Sequence, residues 1–355
     1  MLYQRSTWRD ALTLDLLRWV FLALIALFAF AIVGGYLQTR VQHRAWDQLT
    51  SSDSQYINNL RYSPDFRLIA TASLSEGVYV WNASDKTLLN KLGEEGIGTQ
   101  LEFSPGSPDF GWTYQDYAYF YSRNEGRMVY TPIKAKSWLY ALAISPDQYA
   151  IVATGGTAVE LWNTVLPDHV HHIADDFNNK ASVYALAFSD DTSLLAAGID
   201  DGRVITWRVD ASKPTEEIKT EQVFARSVYS DSDSAHLLVF SPDKHVLAAG
   251  RDNNVALLRA QDGETLRDLQ APGFIYRFAF SPDSKLLVVA HSDTIERSFN
   301  TQAPTTITAW RVDTGERTWT SERLPSPIAD LRISPGNKTI TTGHYDGEVR
   351  THKMP

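Results

Sequence analysis

The densest run of metal-ligating side chains in this chain is Asp168-His169-Val170-His171-His172, followed by Asp175 and Asp176. On an extended strand His169 and His171 share a face, and imidazole beside carboxylate suits zinc or another divalent ion. The spacing matches no ligand motif, however, and a polar outer strand accounts for the same residues, so no metal is assigned. Asp231-Ser232-Asp233 has the alternation of part of a calcium loop but lacks the Gly and the bidentate Glu such a loop needs. The chain has no cysteine, which removes disulfides, thiolate metal sites and cysteine nucleophiles. There is no phosphate-cradling glycine loop, no serine nucleophile elbow and no His-Glu metalloprotease helix in the sequence. No catalytic residue and no cofactor is therefore expected.

Binding chemistry has three candidate locations. His291 to Thr306 is a long irregular stretch offering Asp293, Glu296, Arg297 and Phe299. Gln222 to Ala235 is another, with Asp231 and Asp233 at its tip. Long loops on a rigid scaffold often bind partners. The third is an aromatic cluster that includes Phe110, Trp112, Tyr114, Tyr117, Tyr119 and Tyr121. It reads either as core packing or as an exposed recognition patch through Trp112 and Tyr114.

The elements that must position these residues are announced by a phrase that recurs seven times, around Ser63, Ser104, Ser145, Ser189, Ser241, Ser281 and Ser334. Most copies read Phe- or Ile-Ser-Pro-Asp or a close variant, and successive serines are 41, 41, 44, 52, 40 and 53 residues apart. A period near 40 in strand-rich repeats predicts a β-propeller with one blade per repeat. Three residues before each serine stand Leu60, Leu101, Leu142, Leu186, Leu238, Phe278 and Leu331; one residue before it stand Tyr62, Phe103, Ile144, Phe188, Phe240, Phe280 and Ile333. A period of two places both positions on one buried face of an inner strand. The intervening positions vary and include Arg61, Glu102, Arg277, Asp330 and Arg332, candidates for the central channel or the blade junctions. In the fourth repeat the strands are expected at 183–188, 193–198 and 204–209, with an outer strand near 216–221.

Trp81-Asn82, Trp162-Asn163, Trp207-Arg208 and Trp310-Arg311 end the third strands, and Asp200-Asp201-Gly202 and Tyr345-Asp346-Gly347 form turns before them. On these residues the stretch 44–355 resembles the WD40 repeat family, although its Gly-His pair is mostly missing; the Phe-Ser-Pro-Asp turns also occur in TolB-like propellers. The resemblance implies an all-β, seven-bladed propeller that binds other proteins. The seventh repeat holds only three strands, and 44–50 (Arg-Ala-Trp-Asp-Gln-Leu-Thr) has the pattern of an outer strand. It is expected to pair with the last blade and close the ring.

Ahead of the propeller, Trp19 to Leu37 is uncharged and strongly apolar. Nineteen residues span roughly 28 Å as a helix, close to the bilayer core of about 30 Å. Ala29-Phe30-Ala31 has the form of a signal-peptide cleavage site, but the apolar run continues past it, which favours an uncleaved anchor. The expected order is an N-terminal tail at 1–18, a transmembrane helix at 19–37, a linker at 38–43 and the propeller. Arg5, Arg9 and Arg18 before the span outnumber Arg40 and Arg44 after it. That favours a cytoplasmic N-terminus and an extracytoplasmic propeller, periplasmic in a bacterium. With net charge −9 and no basic stripe, nucleic acid is not an expected partner. The expectation is a membrane-anchored protein-binding scaffold. A channel-based enzyme or small-ligand binder, or an envelope assembly factor, is the alternative.

Overall fold

The computed structural model describes residues 57–73, 77–92, 100–105, 107–122, 127–128, 132–146, 151–163, 170–174, 181–210, 218–229, 235–293 and 304–354. Regular structure among them is entirely antiparallel strand. Six sheets have at least four strands and the last has three. Each begins with an inner strand: Ile57–Tyr62, Gln100–Phe103, Ala141–Ile144, Val183–Phe188, Leu237–Phe240, Ile275–Phe280 and Ile328–Ile333. Within each sheet the strands follow chain order outward, and each inner strand packs beside the next until the last meets the first. This is a β-propeller with six complete blades and a three-stranded sheet, Ile328–Ile333, Thr339–His344 and Val349–Lys353. Among the described residues no helix is long and apolar enough to cross a membrane. The tail, the span 19–37, the linker and the closing strand 44–50 all lie outside the described residues.

The repeated phrase is the turn between the first and second strands. Ser241 Oγ donates to Asp243 Oδ1 at 2.6 Å and accepts from the Val246 amide at 3.0 Å, while Asp243 Oδ1 also accepts from the His245 amide at 3.0 Å. The same set recurs at Ser63, Ser189 and Ser281. Five of the turns reverse through a left-handed residue three places after the serine, at Phe66, Thr192, Lys244, Ser284 and Asn337. A short side chain that both donates and accepts satisfies amides that the reversal takes out of the ladder. The carboxylates are tuned accordingly. Burial pulls Asp243 upward, but the hydrogen bonds from Ser241 and the His245 amide outweigh it and hold the carboxyl below its ordinary range.

Inner strands bury Leu60, Tyr62, Leu101, Phe103, Leu238, Phe240, Phe278 and Phe280 between neighbouring sheets. The third-strand tryptophans Trp81, Trp162, Trp207 and Trp310 are all buried, and Trp81 Nε1 donates to Thr71 Oγ1 at 3.0 Å. The seam between first and last sheets is held by Tyr62. Its amide donates to Asp330 Oδ2 at 2.6 Å and its hydroxyl to the His344 carbonyl at 2.8 Å. The Tyr62 ring lies so close to Gly343 that an added Cβ would sit 2.3 Å from it, so glycine is the residue that fits there.

Some boundaries differ from expectation. The outer strand of the fourth sheet is Thr220–Ser227, not 216–221. It pairs with Arg203–Val209 along its whole length through a bulge, and this cross-strand pairing outweighs its polar composition. The stretch from Gln222, expected to be irregular, therefore starts as strand. Likewise His291 and Ser292 belong to one strand and Thr305 and Thr306 to the next, with 294–303 between them outside the described residues.

Candidate functional site at the channel mouth

Alternation along the inner strands sends the positions four and two before each turn serine away from the packing face. They line a central channel enclosing about 290 Å³. Its wall divides in two. The third, fourth and fifth sheets contribute Ala141 and Ala143, Ala185 and Ala187, and Leu237 and Val239. The first, second, sixth and seventh contribute Arg61, Gln100 and Glu102, Arg277, and Asp330 and Arg332.

The charged half is a connected group. Arg61 Nε lies 3.5 Å from Glu102 Oε2, with the two side chains 13% and 41% exposed, and Arg61 Nη1 donates to Asn59 Oδ1 at 2.7 Å. Asp330 receives the Tyr62 amide. Arg277 Nη1 donates to the carbonyl of its own neighbour Tyr276 at 2.7 Å. Arg61–Glu102 is the ion pair of the channel among the described residues. Burial between the strands opposes ionisation of Arg61, but Glu102 and Asp330 together hold its guanidinium above the ordinary value. Desolvation pushes the Glu102 carboxyl up against the pull of Arg61. Burial, reinforced by the like charge of Arg61, pushes Arg277 down.

An aromatic arc stands at the mouth above the apolar half. Tyr140, Tyr184 and His236 each lie five residues before their turn serine, at the end of the channel opposite the serine turns. Tyr140 and Tyr184 stack with centroids 5.3 Å apart and planes 20° apart, and His236 meets Tyr184 edge-on at 5.9 Å. Tyr184 is 38% exposed, and both Tyr184 and His236 line the channel. In the fourth sheet a register shift between Val183 and Ala185 marks Tyr184 as a bulge residue, which turns its ring out of the strand pairing. Sequence periodicity gives no warning of this arc, because the bulge breaks the alternation that would reveal it.

Of the eight candidate partner residues, Glu296, Arg297, Phe299, Asp231 and Asp233 lie outside the described residues. Asp293 accepts from Thr306 Oγ1 at 3.2 Å and forms an ion pair with Arg323 Nε. Trp112 is 5% exposed and stacks on Tyr119 at 5.3 Å and 10°, within the core shared by the first and second sheets. The ring fills the gap between two sheets. Tyr114 is half-buried at the end of its strand. Arg277 and Asp330, read as channel candidates, do share the channel. His171 and His172 sit on the outer strand Val170–Ala174 of the third sheet. His172 Nδ1 lies 3.1 Å from Glu160 Oε1, and His171 Nε2 lies 3.3 Å from Thr220 Oγ1. They contact different elements, and no group of three ligating side chains forms among the described residues.

Comparison with known proteins agrees with this geometry. The family pattern "WD domain, G-beta repeat" matches residues 46–82 and 169–208. Protein hir1 of Aspergillus terreus is 25% identical over 172 residues, which is 48% of this chain and 15% of that protein. The chain thus spans a small part of the length of the curated relative it matches. A chain from the crystal structure of the mitotic checkpoint complex superposes with a TM-score of 0.61 at 17% identity, covering 85% of this chain and 88% of that one. Two stretches of the chain are thus similar to WD40 repeats, and the superposition shows a shared propeller fold.

Proposed function

We propose that this chain is a non-enzymatic scaffold whose propeller binds another protein in a membrane-associated assembly. The observation that carries the reading is the aromatic arc at the channel mouth, Tyr140 stacked on Tyr184 with His236 edge-on beside it. Exposed aromatic rings on a rigid frame supply contact area at little cost in conformational entropy, and such rings are enriched in interface cores. The named relatives bear on the same reading, since one of them is a chain of a multiprotein complex.

In the proposed arrangement residues 19–37 anchor the chain, and strand 44–50 completes a seventh blade by pairing with Val349–Lys353. Two observations support that closure. The family match begins at residue 46, ahead of the first described inner strand. Beside Val349 lies a groove of about 590 Å³, lined in part by Lys86, Leu89 and Glu348, in which Leu89 is 52% exposed and Val349 38%. An N-terminus in the cytoplasm then places the propeller outside it.

The test is a mild-detergent pull-down of the full-length chain with mass spectrometry of stoichiometric partners, repeated with Tyr184→Ala. A partner retained by the native chain and lost by the variant is expected. Repeated recovery of the chain alone, in good yield, overturns the scaffold reading. Protease protection of the propeller in sealed membrane vesicles tests the topology separately.

A further inference from the structure

Three guanidiniums, Arg61, Arg277 and Arg332, stand on one wall of the channel with two carboxylates, Glu102 and Asp330, while a third carboxylate, Asp190, lies across from them on the fourth sheet, in a chain whose net charge is −9. The two carboxylates of the charged wall are already engaged. Glu102 pairs with Arg61 at 3.5 Å, and Asp330 takes the Tyr62 amide at 2.6 Å. Arg277 has no carboxylate at hydrogen-bond distance; it reaches only the Tyr276 carbonyl. Positive charge is thus in excess on one wall of a narrow cavity, where weak screening strengthens its pull on an anion.

The opposite wall is chemically complementary to this. Ala141, Ala185 and Ala187 leave room, and Tyr184 stands at the rim of the same cavity with His236 edge-on against it. A cavity with one apolar wall and a few convergent polar groups is the usual form of a small-ligand site. The geometry points to a binding site in the channel for a carboxylate carried on an aromatic or apolar body, with the carboxylate toward Arg277 and Arg332 and the body along Tyr184 and the alanines. The carboxylate has two possible sources, a free small acid or an acidic side chain beside an aromatic one in a polypeptide.

The full-length chain is titrated by calorimetry or ligand-observed NMR with phenylacetate, with its neutral analogue phenylacetamide, and with a capped Phe-Asp dipeptide. Saturable binding of phenylacetate or the dipeptide is expected, with phenylacetamide at least about tenfold weaker because it lacks the charge-assisted hydrogen bonds. Arg277→Gln should weaken the acid on the order of tenfold to hundredfold while leaving the amide unchanged. Preference for phenylacetate assigns the site to a free acid, and preference for the dipeptide assigns it to a polypeptide. The acid–amide contrast needs only the native chain, so it stands even where the variant fails to fold. Absence of saturable binding by either acid up to about 10 mM, or equal binding of acid and amide, overturns the proposal.

Discussion

The inner strands have one face that packs and one that lines the channel, and the two differ in how much they vary. On the packing face, six blades place leucine three residues before the turn serine and the other places Phe278. On the channel face, the position two before the serine runs Arg61, Glu102, Ala143, Ala187, Val239, Ala279 and Arg332. Packing between sheets allows few shapes, because each blade buries its faces only against its neighbours. On the channel face that demand is divided: Ala141, Ala143 and Ala185 belong to the buried cores between sheets, while the charged positions of the other half belong to none of those cores and can serve a ligand. The contrast predicts that changes on the packing face lower stability and leave channel binding chemistry intact, while changes at the charged channel positions do the reverse.

The largest test of the packing face is Tyr62→Ala. It removes a buried ring from the seam between first and last sheets, the contact with Gly343, and the hydrogen bond to the His344 carbonyl. A loss of about 3–5 kcal/mol is expected in urea unfolding. Tyr62→Phe keeps the ring and should lose only about 1 kcal/mol, because the His344 carbonyl keeps its hydrogen bond from the Gly347 amide. If both variants unfold with the native midpoint, the seam is not where the ring of blades is held.

Next comes the turn. Ser241→Ala leaves the buried Val246 amide without its acceptor at 3.0 Å and frees Asp243 from its donor. The expected cost is about 1–3 kcal/mol in the same unfolding measurement. Ser334 accepts from the Thr339 amide at 3.0 Å, but its repeat carries Gly336 where most of the others carry Asp. Ser334→Ala should therefore cost less than Ser241→Ala, because no carboxylate is engaged with that serine. A reversed order would show that the hydroxyl acts independently of the carboxylate.

The packing side also carries a pH dependence of its own. Burial pushes the His344 imidazole down to about 4, with its ring nitrogens occupied by Thr342 Oγ1 and the Ser326 carbonyl and with Arg350 nearby acting in the same direction. Burial likewise pushes His291 down. In the unfolded chain these rings titrate near 6.5, so between about 4 and about 6.5 the unfolded state binds more protons than the folded one. Stability from the neutral rings is complete above about 6.5 and is lost as pH falls toward about 4. The turn carboxylates Asp243 and Asp283, held low, add a further loss below about 4. Thermal melts from pH 7.5 to 4 should fall steadily, and His344→Gln should flatten the upper part of that slope. An unchanged slope in the variant places the proton uptake elsewhere.

Much of this architecture was readable from spacing alone, for a physical reason. The serine turns and the alternating leucines and aromatics are set by local backbone geometry and by burial on a period of two, and both recur in every blade. The four third-strand tryptophans and the three strands of the last sheet were legible on the same grounds. What escaped was non-periodic. The bulge at Tyr184 shifts its ring out of phase, so the aromatic arc cannot be found by counting. Trp112 could not be assigned to core or surface from sequence, because alternation within an aromatic-rich hairpin supplies both faces with rings. Arg277 and Asp330 were visible as candidates, but they share the channel through the packing of neighbouring inner strands more than fifty positions apart, which no local pattern encodes.

The smallest expected effects separate the two faces most sharply. Thr192 is a buried, β-branched residue at φ +62° whose hydroxyl has no hydrogen-bond partner. That conformation costs roughly 1–2 kcal/mol for such a side chain, so Thr192→Gly should raise stability by up to about 1 kcal/mol after the lost methyl burial is counted. Arg277→Gln, on the channel face, should move the unfolding midpoint by no more than about 0.5 kcal/mol. It removes a guanidinium that burial and Arg61 already disfavour and breaks one hydrogen bond to a carbonyl. A near-silent Arg277→Gln by urea unfolding, beside a strong Tyr62→Ala, would mean that the charged wall is not retained for the sake of the fold. A loss of 2 kcal/mol or so would instead make Arg277 a structural member of the charge network, and the two faces of the inner strands would then share one task.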